Sequence, residues 1–531
     1  MRRPVVAIPI LLLCLAGALR AQCPDGTPPP CGPRQPPPSP YSIAVLPFAN
    51  RSPDTADVYL AEGMTDEVGS HLTQVSRLQV KARGLVAAVW QRNPDPLSAA
   101  RALRVAWYVH GTVRHVAPQL LVSVELVRPA TGEEVWAKRF ARSDVDVFAA
   151  QAEVAESVAV VVGGRLSPGE RAVLVRRPTR SNEAYRLYLY GNALLSRRTQ
   201  LEVRRAVQAY TETVRLDPHF AAAWARLGLA RGVQSSWLSW IESVPKDSLL
   251  ALAFAAARRA LGSDSLSSDG WLALGLASAN GGDLGTAATS YQRSIRLDSL
   301  NADAFHFAGV LYAAEGYYRS LYYGSLDIPE AAAPLFRRAL ALDPALRNTW
   351  RLLAKVSRDD GMLAEAEALL DTALALGPWS AGLDGRAYVR FLRGNAGGAL
   401  ADLAEEERLD SVPYSDERAL FTILLGDSAP ARAVVARLRT QADSGQPILN
   451  SLATFSMALG LREDALSALQ RLRSWVNPHE PRCTPTAACS VSIATWKVLH
   501  DPIFAPLRGD PRFQRLWQET RPHVPWLGGY H

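Results

Sequence analysis

The stretch WLALGLASANGGDLGTAATSYQRSIRLDS, Trp271 to Ser299, constrains this chain more than any other feature, because it recurs. Its pattern is a large aromatic, Leu three residues on and Gly one further (Trp271, Leu274, Gly275), then Ala287 and Tyr291. Neighbouring copies show Trp224, Leu227 and Gly228; Ala206, Tyr210 and Pro218; Phe305, Ala308, Gly309 and Tyr312 with Ala332, Phe336 and Pro344; and Trp350, Leu353 and Ala354 with Ala366 and Pro378. Pro344 and Pro378 are 34 residues apart. Pro218 to Ser265 is 47 and Ser299 to Pro344 is 45, so two units carry insertions, around Trp237–Val244 and Tyr317–Ile328. A unit of this length holds one helix pair and cannot bury its apolar face alone, so copies must stack. Small residues let paired helices touch and large ones fill the gaps. Weaker copies (AYVRFLRGNAGGALADL, ALFTILLGDSAPARAVV, FSMALGLREDALSALQRL) carry the array to about Pro478, for about eight units over 181–478.

Upstream, residues 41–166 have a different texture. Ile43–Phe48 is a continuous apolar run, as in a strand buried on both faces. Ala61, Met64, Val68 and Leu72 recur at helical spacing, and Leu78, Val80 and Ala82 alternate. A short helix is expected around Leu97–Leu103, then strands at Trp107–Arg114, Gln119–Val127 and Glu134–Phe140, and a closing helix with Phe148, Val154, Val158 and Val162. Pro118, Pro129 and Gly132 punctuate the turns. The expected order is β-α-β-α-β-β-β-α. Residues 479–531 would cap the repeat array, with Phe504, Leu507, Phe513 and Trp517 packing on its last pair.

The first 21 residues read as a secretory signal peptide: Arg2 and Arg3, an apolar run from Val5 to Leu19, and Ala21 as the small cleavage residue. That run is short for a membrane span of ~20 residues, so no stable membrane insertion is expected after cleavage; an uncleaved anchor is the alternative. The residues before Cys14 and Cys23 do not match a lipidation signal. With the leader goes Arg2, Arg3 and Arg20, three of 58 basic residues against 51 acidic, so the formal net charge falls from +7 to +4. No basic run with interleaved aromatics points to nucleic acid. Residues 22–40 are a proline-rich spacer. Cys23 and Cys31, and Cys483 and Cys489, form two local pairs expected as disulfides in an exported protein, contributing about 2–3 kcal/mol each. A zinc site from Cys483, Cys489, His479 and His500 competes, without the CxxC spacing that zinc sites favour.

Nothing assembles a catalytic or metal constellation. The loop Ala49-Asn50-Arg51-Ser52-Pro53-Asp54 has no glycine to let a backbone close on a phosphate, and Ser52, Asp54 or Thr55 are helix-capping candidates. NGGDLG at 280–285 sits where a repeat needs its turn. His110 and His115 fall on opposite faces of a strand, and Glu133–Glu134 lie in a hairpin turn. HExxH, GxSxG and CxxC are absent. No catalytic residue, metal ligand or cofactor is assigned.

The repeat carries the tetratricopeptide (TPR) pattern, and SIAVLPFANRSPD…YLAEGMTDEVGSHL followed by LQVKAR, YVHGTVR and LVSVELVRPATGEEVWAKRF resembles the TolB-like amino-terminal module that precedes such arrays in bacterial proteins. The resemblance extends to the PLRGDPRF ending. In relatives the pairing sits behind a kinase, cyclase or DNA-binding effector; here a leader and spacer stand in its place. The fold class is therefore mostly α: a small α/β amino-terminal domain with a mixed sheet, TolB-like, followed by a TPR α-solenoid. TPR superhelices line their concave face with the first helix of each pair. In the unit from Arg347 that face takes Asn348, Arg351, Lys355 and Arg358, a basic row suited to an acidic peptide or terminal carboxylate. It resembles the carboxylate clamp of chaperone-binding repeats without that clamp's asparagines. In the preceding unit it takes Asp303, His306, Val310 and Ala313, beside an insertion with Tyr317, Tyr318, Tyr322 and Tyr323; Trp237 and Trp240 stand in the other insertion. The expected function is a periplasmic or secreted, non-enzymatic scaffold binding a protein or peptide through Arg351, Lys355, Arg358, His306, Tyr322 and Tyr323. A ligand-sensing α/β module, or an enzyme on envelope polymers, are the alternatives.

Overall fold

The computed structural model describes residues 37–143, 147–237, 246–313, 329–410, 415–441, 446–474 and 499–520. β1 (Ser42–Val45) is buried on both faces. The apolar run expected as one strand breaks there, because Pro47 has no N–H for the ladder. Pairing resumes as β2 (Ala49–Asn50). α1 (Val58–Thr73) buries Leu60, Ala61, Met64, Val68 and Leu72 at helical spacing. β3 (Gln79–Val80) follows, then α2 (Arg83–Arg92), which the alternation reading passed over. α2 places Leu85, Val86, Val89 and Trp90 on one face, and α3 (Pro96–Ala102) begins at an Asp95 cap.

β4 (Trp107–Val116), β5 (Gln119–Arg128) and β6 (Glu133–Ser143) form a meander, and α4 (Val147–Gly163) closes the unit. The sheet is mixed, in the order β3-β1-β4-β5-β6, with β1 parallel to β3 and β4 and antiparallel pairing from β4 onward. α2 and α3 cover one face through Ala44, Leu46, Tyr108, Val86 and Leu103. α1 and α4 cover the other. α5 (Pro168–Leu174) starts with a reciprocal Ser167–Glu170 capping box.

Eight helix pairs then stack among the described residues: α6 (Asn182–Ser196) with α7 (Gln200–Leu216), α8 (Ala221–Trp237) with α9 (Lys246–Ser263), α10 (Ser268–Asn280) with α11 (Leu284–Leu297), and α12 (Ala302–Tyr312) with α13 (Pro329–Leu342). The second four are α14 (Arg347–Asp359) with α15 (Leu363–Ala375), α16 (Ser380–Leu392) with α17 (Ala396–Asp410), α18 (Ser415–Thr422) with α19 (Ala429–Thr440), and α20 (Gln446–Ala458) with α21 (Arg462–Ser474). A 3₁₀ turn (Pro502–Leu507) and α22 (Pro511–Thr520) pack on the last pair.

The repeated residues do the work their sizes imply. A Cβ at Gly191, Gly275 or Gly309 would lie 2.6, 2.6 or 2.5 Å from the ring of Tyr210, Tyr291 or Phe336 on the partner helix. Each second helix carries an alanine at 0% exposure at the equivalent position: Ala206, Ala253, Ala287, Ala332, Ala366, Ala399, Ala431 and Ala465. Trp224, Trp271 and Trp350 each donate from Nε1 to the carbonyl six residues earlier, on Pro218, Ser265 and Pro344, at 2.9, 2.9 and 2.8 Å. In those three turns, and in the one before α12, Asp217, Asp264, Asp343 and Asp298 accept from the backbone N–H two residues on, at 2.9–3.0 Å.

Candidate functional site

The opening loop is committed to the fold. Asp54 accepts from Ala56 N at 2.8 Å and caps the 3₁₀ turn Thr55–Asp57. Ser52 Oγ accepts from His115 N at 2.9 Å, His115 Nδ1 lies 2.7 Å from Asp57 Oδ2, and Thr65 Oγ1 accepts from Phe48 N at 2.9 Å. A side chain at Gly111 would meet Ser123 O at 2.4 Å and the Phe48 ring at 2.5 Å, so the strand lies flush against this loop. NGGDLG is a turn: Gly282 sits at φ +86°, where only glycine is unstrained, and Asp283 caps α11 through Thr286 N.

The α/β unit covers the first half of the solenoid's concave face. Gly63 of α1 approaches α6 so closely that a Cβ would stand 3.0 Å from Leu189. Tyr59 stacks edge-on to Tyr190 at 5.7 Å and accepts from Arg186 Nε at 3.3 Å. Buried Gln151 of α4 donates to Gly63 O at 3.1 Å and accepts from Tyr185 Oη at 2.5 Å. At Gly84 of α2 a Cβ would collide with Asp343 Cβ at 2.3 Å, just beyond α13. One apolar core runs from Val109, Val122 and Val154 through Met64 to Tyr185, Leu189, Tyr210 and Phe220.

Charges line the same contact. Burial raises Asp66 to about 6, countered by Arg83, which pairs with it at 2.5 Å. Burial also raises Glu67 to about 7; Asp66 and Asp269 add to the rise, while Arg226 and Arg83 oppose it. Arg226 of α8 pairs with Asp269 of α10 at 3.1 Å. His306 of α12 belongs to this half. It is buried, its Nδ1 is 2.8 Å from Thr349 Oγ1, and burial lowers it to about 4. Asp303 pairs with Arg198.

In the second half, the concave faces of α14, α16, α18 and α20 converge on one cavity of about 60 Å³. Arg351, Lys355 and Arg358 share one wall; Asp384, Tyr388, Glu417, Phe421 and Phe455 complete it. The basic row is already engaged in the chain. Arg351 Nε donates to Asn348 Oδ1 at 3.0 Å, and its guanidinium stands 6.0 Å from the Trp379 ring. Lys355 and Arg358 both pair with Asp359, and all three are buried at their heads. Arg358 and Lys355 hold the Asp359 carboxyl below the usual range against its burial.

The cavity residues outside α14 follow the rule that selected the basic row, carried to later units. Arg351, Asp384 and Glu417 are spaced by 33 and 33 residues; Lys355, Tyr388, Phe421 and Phe455 by 33, 33 and 34. The signal was present, but these units lack the Trp-Leu-Gly residues that set the phase of earlier ones. Asp501, which reaches Arg358 from beyond α21, carries no periodic signal.

Tyr317, Tyr318, Tyr322, Tyr323, Trp240, Cys23, Cys31, Cys483, Cys489 and His479 lie outside the described residues. Among the described residues, no three His, Cys, Asp or Glu side chains form a metal-holding group, and no helix is long and apolar enough to cross a membrane.

Helix pairs joined by these contacts define a TPR-type solenoid behind a small mixed-sheet α/β unit. No family profile matches the chain. A curated protein of Rhizobium meliloti (strain 1021), named "Putative adenylate cyclase 3", is 32% identical over 202 residues, 38% of this chain and 34% of that protein. The chain thus spans about a third of that relative's length. Similar solved structures include Pseudomonas aeruginosa pilF (18% identity, 45% of this chain and 97% of that one, TM-score 0.34). PilW, a type IV pilus biogenesis factor, is 18% identical over 46% of this chain and 92% of its own, with a TM-score of 0.30. YrrB, described as a TPR protein with an unusual peptide-binding site, is 18% identical over 39% and 94%, with a TM-score of 0.27. The fold assignment rests on the helix pairs themselves.

Proposed function

We propose that this chain is an exported, non-enzymatic scaffold of the bacterial envelope. In this reading a TolB-like module buttresses the first half of a TPR solenoid, whose second half recognises a protein or peptide partner. One observation carries it: α14, α16, α18 and α20 converge on one cavity whose lining holds both signs of charge, with Arg351 on one side and Asp384 and Glu417 on the other. A groove with both signs of charge favours extended peptides over lipids or nucleic acid, which would want one sign. The test is capture from an envelope extract by the chain from residue 22 onward, set against Arg351→Glu and Asp384→Ala. These two sites avoid the buried Lys355–Asp359–Arg358 cluster, whose removal would unfold the groove rather than probe it. A protein retained by the wild type and lost with either variant, at unchanged circular dichroism, supports the reading. Equal retention by all three overturns it.

The curated relative's name offers an enzymatic second reading. Against it, NGGDLG, the stretch that invites a nucleotide-cyclase reading, forms a repeat turn here, with Asp283 capping α11. Incubation with ATP and magnesium is expected to yield no cyclic AMP; turnover would reverse this assignment.

A further inference from the structure

One end of the cavity wall already holds a carboxylate, and it comes from the chain's own carboxy-terminal segment. Tyr388 Oη donates to Asp501 Oδ1 at 3.0 Å, and Arg358 Nη2 stands 3.8 Å from Asp501 Oδ2. The Arg358 guanidinium also lies over the Tyr388 ring at 5.3 Å. Both residues line the cavity. Asp501 also accepts from Ile503 N at 2.9 Å, which starts the 3₁₀ turn Pro502–Leu507. That turn sets Phe504, at 0% exposure, into the apolar cluster of Leu452 and Phe455. The segment therefore reads groove residues of α14, α16 and α20 with one acid and one aromatic three positions later.

This seating is poorly optimised for stability. Burial raises the Asp501 carboxyl more than Arg358 lowers it, and Asp359 competes for the same guanidinium. A buried ion pair of this kind adds little net stability when complete but is costly when left broken, so the seat calls for another carboxylate whenever Asp501 leaves it. Arg351 lines the same cavity two helical turns from Arg358. A ligand with a second acid at that distance gains a contact Asp501 does not supply.

We propose that Leu499–Leu507 is an internal ligand of the groove, and that the seat of Arg358, Tyr388 and the Leu452–Phe455 surface accepts a partner peptide of the same pattern, a carboxylate followed three residues later by an aromatic. The proposal rests on the scaffold reading and names its ligand chemistry and its regulation: the partner competes with the chain's own tail.

The probe is a fluorescein-labelled peptide LHDPIFAPLRGD, the sequence of residues 499–510, titrated by anisotropy into the chain from residue 22 onward. Asp501→Asn in the protein is expected to raise apparent affinity about tenfold, by increasing the fraction of open seats. Adding Tyr388→Phe should reverse that gain, and Asp→Asn within the peptide should abolish binding. Equal affinity for wild type and Asp501→Asn, or no binding by either, overturns the proposal. A variant-free check is hydrogen exchange of amides 499–507 in the wild-type chain with excess unlabelled peptide: faster exchange supports displacement, and unchanged protection overturns it. Envelope-extract capture separates the two readings. A partner held equally by wild type and Asp501→Asn, without peptide binding, overturns the internal ligand and leaves the scaffold standing. Equal retention by wild type, Arg351→Glu and Asp384→Ala overturns the scaffold reading and the internal ligand with it.

Discussion

Both halves of the concave face are filled from within the chain, but by different physics. In the first half the α/β unit docks by shape: glycines at 63 and 84 let α1 and α2 lie against Leu189 and Asp343, and an apolar core continues across the seam. In the second half a buried charge cluster joins the apolar seating of Phe504, with Arg358 shared between Asp359 and Asp501 and a small cavity beside them. Close apolar packing is stable because it is dense and dry. A buried charge cluster is nearly neutral when complete and costly when broken. On the proposed reading, the first half serves as structure and the second as a place where a charged ligand exchanges.

The comparison breaks most sharply at Arg358. Arg358→Met leaves Asp359 and Asp501 buried without their guanidinium, and should cost the second half about 3–5 kcal/mol. Hydrogen exchange is expected to show α14, α16 and the Asp501 turn opening while α1 and α6 stay protected. Next comes overpacking inside a pair. Gly309→Ala drives a methyl into the Phe336 ring and should cost about 1–3 kcal/mol; Gly69→Ala, mid-helix with nothing within 4 Å, is the control and should instead gain about 0.5–1 kcal/mol from helix propensity.

Gly63→Leu tests the seam rather than the pairs. It should lift α1 from α6, costing about 1–3 kcal/mol by the same overpacking. Limited proteolysis should then cut between α4 and α6 before it cuts the solenoid; equal protection of both variants would mean the seam has slack.

The smallest effect is in pH. Folding raises Glu67 to about 7 and Glu406 to about 8, in both cases chiefly by burial. A carboxyl whose folded pKa lies above its unfolded value stabilises at acid pH, and that stability is lost as pH rises through the folded value. Both gains of the Gln variants over the wild type in Tm should therefore begin near pH 4.5, with Glu67→Gln levelling off above about 7 and Glu406→Gln above about 8. Each gain is expected at about 1 kcal/mol. The order of the two windows separates the halves.

Much of this was legible in residue order. Period and phase follow from Trp, Gly, Ala and Tyr, because a helix pair tolerates only certain sizes at its contact. Trp271, Gly275, Ala287 and Tyr291 therefore locate α10 and α11 without coordinates. The basic row on α14 is legible the same way, and the acids facing it, Asp384 and Glu417, fall one and two periods on. α2 was not legible: ten residues directly after a two-residue strand leave no clear change of period. β1 was drawn too long because its apolar run continues through Pro47, where hydrogen bonding alone ends it.

By itself the sequence determined that the chain folds into helix pairs and which residues touch within the clearest of them, since these depend on neighbours within one period. It determined the mixed α/β unit ahead of them for the same reason. Only the tertiary structure decided that α1 and α2 lie in the groove, that Lys355 and Arg358 are neutralised by Asp359, and that Asp501 returns to meet Arg358. Those contacts join residues far apart in the chain, and their energies depend on burial. No local pattern encodes how much water a distant element excludes.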